Sequence, residues 1–432
     1  MNLVDKLRRI AAPEPPTRHT AGNPADGNPA PGRLAGAFAD EAQPAPGSVE
    51  VPGEEAAGPG GAFWIRTERF PLSETHGDLT LSAVADTPLK TLAGLARDPA
   101  LCHIDMRRAV FFDTETTSLG GGVGTYIFLF GAGFFEDDHF VVEQYFLREV
   151  TEERALLEAV TSRLKQFDLA VSFHGKGFDV PRMQGRCTFH RVTPAMPASH
   201  LDLCLVGRSL YRGAFRDCRL QTFEKEIVGF RRADDLPGAL CPQAFFDHLQ
   251  GDSTLIPRVF EHNLYDILTL PAIAACFARE MEAPSHPVVL ANLGSFYESQ
   301  GADQRAREKY QQALEGLRGG PHPYLPRALE RLALLERRAG RHAESASLLL
   351  ERKDLPPCSL EALEDLAKYY EHRLRDFRSA EAATLEARSR LITGKIAVDH
   401  GTRFRWIQSL DHRLARLRRR SAANGSPSSA SR

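Results

Sequence analysis

The pattern of hydrophobic and polar residues divides the 432-residue chain into four regions. Pro, Gly and Ala dominate residues 1–61, where Phe38 is the only aromatic residue. Such a segment buries too little apolar surface to offset the entropy lost on ordering, so we expect a disordered linker. Residues 62–281 mix strand-like and helical patterns, and residues 286–420 have helical spacing alone. The Ser-, Ala- and Gly-rich residues 421–432 predict a disordered tail.

The second region begins with short apolar runs that are rich in aromatic and β-branched residues, which is typical of strands. Turn signals at Gly131–Gly133 and Glu136–Asp138 separate two of these runs. A three-stranded meander followed by strand–helix units is the layout of the ribonuclease-H-like fold, an α/β mixed sheet with flanking helices. The predicted order is three strands, a helix and a fourth strand, over residues 109–113, 126–130, 140–146, 152–167 and 169–173.

The hydrophobic period from Pro287 onward is helical only. A helical motif over residues 290–313 comes first, and weaker copies of it follow over residues 332–349 and 363–387. Because one helix pair cannot bury its apolar face alone, neighbouring pairs stack, and we expect an all-α TPR-like helical repeat domain over residues 286–420. An unrelated helical bundle is the alternative. The first motif has the offsets of a tetratricopeptide (TPR) unit, with Leu290, Leu293, Gly294, Tyr297, Gly301, Ala306, Tyr310 and Ala313.

Composition narrows the class of protein. The formal net charge of −2 excludes a globally basic nucleic-acid coat, so contact with a polyanion needs a local patch or metal ions. We find no apolar run of membrane-spanning length, and the N-terminal sequence lacks the features of a secretion signal. Seven scattered cysteines without a CxxC motif indicate reduced thiols. We therefore expect a cytoplasmic protein that does not contact membranes.

The triplet Asp113-Thr114-Glu115 follows an apolar run and carries the first sign of chemistry. Side chains alternate along a strand, so Asp113 and Glu115 point to the same face. Two carboxylates on one face raise each other's pKa unless a cation lies between them, and hard divalent cations prefer oxygen ligands. For the triplet alone, a strand end with solvated carboxylates is an equally good interpretation.

Two further acids favour a metal site. Asp179 follows a strand and a glycine turn, at the start of a predicted helix. His262 and Asp266 are four residues apart in a helical stretch, hence on one helix face. Asp113, Glu115, Asp179 and Asp266 together form a complete acid set for two-metal phosphodiester hydrolysis. His262 would orient or deprotonate the attacking water.

Residues from about Phe70 to Ala275 resemble the ribonuclease-H-like domain of the DEDD 3′–5′ exonuclease superfamily. The resemblance is closest to the bacterial branch that carries TPR repeats after that domain. It implies two Mg²⁺ or Mn²⁺ ions held by Asp113, Glu115, Asp179 and Asp266. The matching motifs are Phe112–Leu119, the glycine-rich residues 120–125, Gly175–Asp179, His200–Leu203, Asp234–Gly238 and His262–Asp266.

The sequence departs from the pattern of that superfamily at three positions. His174 stands where Asn is usual, and Ser118 stands where Gly is frequent. His262 lies four residues before Asp266, the spacing at which one DEDD subclass has Tyr, whereas the His subclass uses five. The role of His262 is therefore left open.

The resemblance also suggests residues that contact the substrate. Thr114, Thr116 and Leu119 lie around the acidic triplet, and Lys176 precedes Asp179 by three residues. Leu119 could stack against a terminal base, although a buried Leu is the alternative. Lys176 could contact a phosphate or be a surface lysine. Asp202 would either support the site or cap the next helix.

The arginine-rich residues 403–420 have two interpretations. They could follow a phosphate backbone, or they could be the solvated end of a helix.

The sequence thus predicts a divalent-metal-dependent nuclease, namely a 3′–5′ exonuclease acting on single-stranded nucleic acid ends, DNA or RNA. The TPR-like repeats would bind a protein partner or present the substrate. Two other classes stay open: a catalytically silent nucleic-acid-binding protein and a TPR adaptor.

Overall fold

The computed structural model describes residues 49–118 and 124–425, which form two compact units. The first unit comprises Arg219–Glu282 and the described part of Met1–Val206. The second comprises Gly207–Cys218 and the described part of Ala283–Arg432. The chain passes from the first unit to the second after Glu282, and residues 207–218 also belong with the C-terminal unit. Residues 1–48, 119–123, which include Leu119, and 426–432 lie outside the described residues. The predicted tail begins too early at residue 421, because residues 421–425 still belong to the last helix.

Within the described residues, the first unit is built on a seven-stranded mixed sheet in the order β1-β2-β7-β6-β5-β8-β9. Strands β8 and β9 continue the sheet parallel to β5, and the other neighbours pair antiparallel. A separate ribbon pairs β3 with β4. The predicted α/β class with flanking helices is confirmed. The strands are β1 (Glu54–Gly58), β2 (Gly61–Pro71), β3 (Thr75–His76), β4 (Leu79–Thr80), β5 (Ala109–Thr116), β6 (Ile127–Glu136), β7 (His139–Phe146), β8 (Leu169–Ser172) and β9 (Ser199–Asp202).

The longest helix of this unit packs on the sheet and contacts both β5 and β6. Short 3₁₀ turns and a π-turn at Glu224–Val228 connect the other elements. The helices are α1 (Leu81–Ala85), α2 (Ala93–Ala96), α3 (Glu153–Leu164), α4 (Asp179–His190), α5 (Leu203–Tyr211, which continues into the second unit), α6 (Leu220–Phe223), α7 (Cys241–His248) and α8 (Ile256–Glu282).

The prediction of a turn at Gly131–Gly133 is wrong, because these residues lie inside β6. A Cβ atom at Gly131 would clash with the Asn263 side chain, and one at Gly133 would lie 2.5 Å from Cγ2 of Ile267. The two glycines therefore allow α8 to approach the sheet closely. This approach brings the residues of α8 to the carboxylates of β5.

The start of the ordered domain also differs from the prediction. Strand β1 lies within the segment whose composition indicated a linker, and it pairs with β2 at the edge of the sheet. The indole of Trp64 on β2 donates a hydrogen bond of 2.8 Å to the carbonyl of Pro52. Composition missed this hairpin because its second strand, with Trp64, lies almost entirely beyond the biased segment.

In the described part of the second unit, successive helices pack against each other along the chain. Gly294 permits a close contact between the first two helices, since a Cβ there would lie 2.8 Å from the ring of Tyr310. No helix among the described residues is long and apolar enough to cross a membrane. The helices are α9 (Pro287–Ser299), α10 (Asp303–Leu317), α11 (Leu325–Arg338), α12 (His342–Arg352), α13 (Leu360–Tyr369), α14 (Phe377–Ile392) and α15 (His400–Gly425).

The arginine-rich residues of α15 are used within the second unit. Arg413, Arg416 and Arg420 lie 3.2, 2.8 and 3.2 Å from the carboxylate of Glu371, whose side chain is fully buried. Arg418 pairs with Glu381 at 2.7 Å. These ion pairs fix α15 against the helices before it, which gives the basic run a structural role.

Candidate active site

Strand β5 carries two acids inside the strand rather than at its end. Asp113 pairs with Gly131 of β6, and the register of the two strands shifts between Glu115 and Thr116. Asp113, Glu115 and Asp266 each offer a carboxylate oxygen within 4.8 Å of the others. An acid from α8 thus joins the two acids of β5 in one cluster.

Asp179, the first residue of α4, is 4% exposed. It is not a member of the closely spaced cluster, but its charge contributes to the raised pKa of Asp113. The hydroxyl of Thr114 donates a short hydrogen bond to Oδ1 of Asp179 and fixes the carboxylate. The four predicted acids therefore lie in one electrostatically coupled region.

Three of these acids, Asp113, Glu115 and Asp179, resist ionisation. Burial, followed by the charges of Asp266, Asp179 and Glu115, holds the pKa of Asp113 well above its ordinary value. Burial is also the largest cause that raises the pKa of Glu115 to about 8 and the pKa of Asp179 to about 6. Buried carboxylates with too little positive charge around them fit hard divalent cations, which neutralise the charge and bind oxygen. The donor set is therefore suited to Mg²⁺ or Mn²⁺.

Asn263 of α8 orients one of these acids. Its Nδ2 donates to Oδ2 of Asp113 at 3.2 Å, and its Oδ1 accepts from Nε2 of Gln144 at 3.0 Å. The side-chain amide is fully buried and held from both ends. The sequence places Asn263 next to His262. It does not show the contact between Asn263 and Asp113, because that contact depends on the glycines of β6.

Arg232, to which the sequence assigned no role, contacts one of the acids. Its side chain is only 5% exposed and donates to Asp266 at 2.5 Å, to Glu224 at 2.7 Å and to Asp235 at 3.1 Å. A hydroxyl of Thr269 donates to the same Glu224 at 3.0 Å. Arg232 follows another arginine in a polar loop, a pattern typical of a surface, and the sequence gives no sign of its burial.

His262 lies between the orienting residues and the acids. Its Nδ1 is 2.9 Å from Oδ1 of Asp235, and its Nε2 is 3.6 Å from Oδ2 of Asp266 and 3.9 Å from Oε1 of Glu115. Burial lowers the pKa of His262, but the carboxylates of Asp266, Glu115 and Asp235 together raise it more, so that its net shift is upward. The ring thus presents Nε2 to the carboxylate cluster.

Asp202 has both of the roles considered from the sequence. Its Oδ1 accepts the backbone N–H of His174 at 2.9 Å and that of Cys204 at 3.1 Å, and its Oδ2 accepts the N–H of Lys176 at 3.2 Å. It therefore caps the start of α5 and holds the loop before Asp179, in which His174 has a φ of +68°. Lys176 is exposed at the tip of this loop.

We expect Asp202→Ala to lower the free energy of unfolding by about 1–3 kcal/mol, because three backbone donors lose a buried acceptor. Hydrogen exchange at His174 and Lys176 should accelerate as the loop opens. Denaturant unfolding and amide exchange measure both effects. Asp105→Ala is the control, since Asp105 accepts a backbone N–H at 2.9 Å in an exposed turn. Equal losses in the two variants would contradict the role given to Asp202.

His76 extends the Arg232 network. Its Nε2 lies 2.8 Å from the hydroxyl of Thr269, which donates to Glu224, so the ring acts as the donor in its neutral form. Burial, and secondarily the charge of Arg232, lowers the pKa of His76 from 6.5 to about 4. The unfolded chain therefore takes up the proton first as the pH falls, and the stability provided by the neutral ring is lost between about pH 6.5 and 4.

We expect the free energy of unfolding of wild type to exceed that of His76→Gln at pH 7.5. This difference should shrink by a few kcal/mol towards pH 4.5, because one pKa unit corresponds to about 1.4 kcal/mol. Urea unfolding at both pH values measures the difference. His103→Gln, at an exposed position, is the control and should show the same difference at both. A gap for His76→Gln that is constant or wider at pH 4.5 would refute the assignment of a neutral buried ring.

The predicted substrate contacts differ in their surroundings. Thr114 and Thr116 are buried, and the hydroxyl of Thr116 donates to the carbonyl of Ser118 at 3.0 Å. Both hydroxyls are thus used within the protein. Lys176 is exposed beside Asp179, and Leu119 lies outside the described residues.

Comparison with known proteins agrees with this geometry. The sequence profile of the RNase_H superfamily matches residues 110–277. The uncharacterized protein YprB of Bacillus subtilis (strain 168) is 32% identical over 327 residues, which cover 73% of this chain and 78% of that protein. The chain belongs to the family of this Bacillus protein and carries an RNase_H-superfamily domain. That superfamily generally hydrolyses phosphodiester bonds of nucleic acids and typically uses divalent metal ions.

Proposed function

We propose that the protein is a divalent-metal-dependent 3′–5′ exonuclease that acts on single-stranded nucleic acid ends. The observation that carries this proposal is the cluster of Asp113, Glu115 and Asp266 within 4.8 Å, with Asp179 close enough to raise the pKa of Asp113. A buried acid cluster of this kind is costly to the fold unless it binds cations. The RNase_H-superfamily domain supports nuclease chemistry at these residues.

The four acids that the sequence indicated as ligands would hold two Mg²⁺ or Mn²⁺ ions. Such ions would lower the pKa of a bound water molecule and would stabilise the negative charge on the attacking and leaving oxygens. The residues of the chain orient the ligands: Asn263 fixes Oδ2 of Asp113, and Arg232 fixes Oδ1 of Asp266. Oδ2 of Asp266 is left facing the cluster.

His262 is the proposed proton acceptor. Its Nδ1 is held by Asp235, so its Nε2 faces the acids and can take a proton from the attacking water or hold that water in line. The carboxylates of Asp266 and Glu115 increase the basicity of the ring. Lys176, exposed on the loop that Asp202 holds, is the proposed contact for a substrate phosphate. Thr114 and Thr116 act indirectly, by fixing Asp179 and the end of β5.

The second unit is proposed to consist of TPR-like repeats. Three helix pairs follow each other, α9–α10, α11–α12 and α13–α14, and α15 covers the last pair. Gly294 and Tyr310, two positions of the first motif, lie close together where the two helices of its pair pack. Such a unit would bind a protein partner or present the nucleic acid in the cytoplasm.

Degradation of end-labelled oligonucleotides tests the proposal. We expect 5′-labelled single-stranded DNA or RNA to give a ladder of shortened products with Mn²⁺ or Mg²⁺, and no cleavage with EDTA. A 3′-labelled strand should release its label as a mononucleotide at once. Cleavage of circular single-stranded DNA would instead show an endonuclease. Binding without cleavage under every metal condition would favour a silent binding protein, and neither binding nor cleavage would favour an adaptor.

A further inference from the structure

A cysteine lies beside the carboxylate cluster and has no part in the proposed hydrolysis. Cys241 is the first residue of α7 and is fully buried, with Glu115 as a close neighbour. One ligand atom each from Glu115, Cys241 and His262 lies within 4.8 Å of the other two. A sulfur, an imidazole nitrogen and a carboxylate oxygen thus converge on one point.

The orientation of His262 is the second observation. Its Nδ1 lies 2.9 Å from a carboxylate oxygen of Asp235, which leaves Nε2 directed towards Glu115. Metal-binding histidines commonly donate their other ring N–H to a carboxylate in this way, which fixes the ring and increases its basicity.

Space beside the same nitrogen is kept by a glycine. A Cβ at Gly238 would lie 3.3 Å from Nε2 of His262, closer than side chains usually approach. A larger residue would therefore crowd the side of the ring from which a cation binds.

We propose that Glu115, Cys241 and His262 form a binding site for a thiophilic divalent cation, Zn²⁺ being the physiological candidate. Zn²⁺ binds Cys, His and carboxylate ligands in a tetrahedron, and three protein ligands with a fourth open position are common. Thiolate and imidazole select zinc-like ions, whereas the all-oxygen set of Asp113, Glu115 and Asp266 selects Mg²⁺ or Mn²⁺. Binding exchanges the proton of the Cys241 thiol for the cation.

Glu115 belongs to both ligand sets, so it can serve only one of them fully. A thiophilic cation at Cys241 would also engage Nε2 of His262, the nitrogen proposed to accept a proton. The site would therefore inhibit hydrolysis when occupied. This consequence rests on the proposed function, whereas binding of the cation does not.

Metal spectroscopy on the full chain tests binding without any activity measurement. We expect Co²⁺ or Cd²⁺ to produce a thiolate-to-metal charge-transfer band at one equivalent, which Zn²⁺ then displaces. Cys241→Ser and Cys241→Ala should lose the band, with circular dichroism showing that each is folded. Cys102→Ser, which removes an exposed thiol, should keep it. A wild-type protein without the band, or a Cys241→Ser protein with an unchanged band, would overturn the site.

Inhibition tests the shared ligand separately. We expect the Zn²⁺ concentration that halves Mn²⁺-dependent cleavage to rise at least tenfold in Cys241→Ser, measured relative to the activity of each variant without Zn²⁺. Equal Zn²⁺ sensitivity in both proteins would refute competition at Glu115. If neither protein cleaves nucleic acid, the proposed function fails, but the charge-transfer experiment still decides whether the cation binds.

Discussion

Asp113→Asn is expected to reduce metal-dependent cleavage by several orders of magnitude while the protein stays folded. The substitution keeps the shape of the side chain but removes a charged ligand from the centre of the acid cluster. The hydrogen bond from Asn263 can be kept, because the Asn carbonyl replaces Oδ2 as the acceptor. The loss therefore comes from metal binding and not from packing.

Without divalent ions, the same variant should be as stable as wild type or more stable. The raised pKa of Asp113 means that the folded protein holds a proton that the unfolded chain releases, so the stability contribution of this group falls as the pH rises. The advantage of Asp113→Asn should consequently be larger at pH 8 than at pH 5.

The assay uses end-labelled oligonucleotides with Mn²⁺, and thermal unfolding in EDTA at the two pH values. Asp105→Asn, at the exposed turn that precedes β5, is the matched control and should cleave at the wild-type rate. Wild-type cleavage by a pure Asp113→Asn preparation would end the two-metal proposal.

Short-range rules explain what could be predicted about the site. Alternation along a strand places Asp113 and Glu115 on one face, and one helical turn separates His262 from Asp266. Both rules need only a few residues of correct secondary structure. The contact between the two pairs is different, because it requires α8 to approach β6 at Gly131 and Gly133. Those glycines were interpreted as a turn, since an isolated sequence does not show which backbone another helix will approach.

The residues that orient the acids could not be predicted, because their burial is a property of the whole fold. Arg232 and Asp235 lie in the connection between α6 and α7, where polar residues usually face solvent, and Cys241 begins α7. The two strands of the seven-stranded sheet that precede β5 along the chain were also missed. Strand β2 was not predicted, and β1 lies in a segment with the composition of a linker. Strand β9 was not predicted either, so only four of the seven strands in the described sheet, β5 to β8, had a sequence counterpart.

Arg232→Met is expected to lower the free energy of unfolding by about 3–5 kcal/mol, the range found when one partner of a buried ion pair is removed. Met fills much of the volume of the arginine stem, so the loss reflects charge. Glu224, whose side chain is 3% exposed, would keep its hydrogen bond from Thr269 but lose its cation, and Asp266 would lose its partner at 2.5 Å. Urea unfolding measures the loss. Arg231→Met is the matched control, since the neighbouring arginine is exposed and should cost little.

Two further measurements show that charge, and not shape, causes the loss. Adding Glu224→Gln to Arg232→Met should recover part of the stability, because the neutral amide keeps the contact with Thr269 without an unpaired charge. Mn²⁺ should raise the melting temperature of Arg232→Met more than that of wild type, because the unpaired Asp266 gains a cation on binding. Equal destabilisation by Arg231→Met and Arg232→Met would remove the role given to the buried arginine. No recovery in the double variant would show that packing, rather than charge, makes Arg232 necessary for the fold.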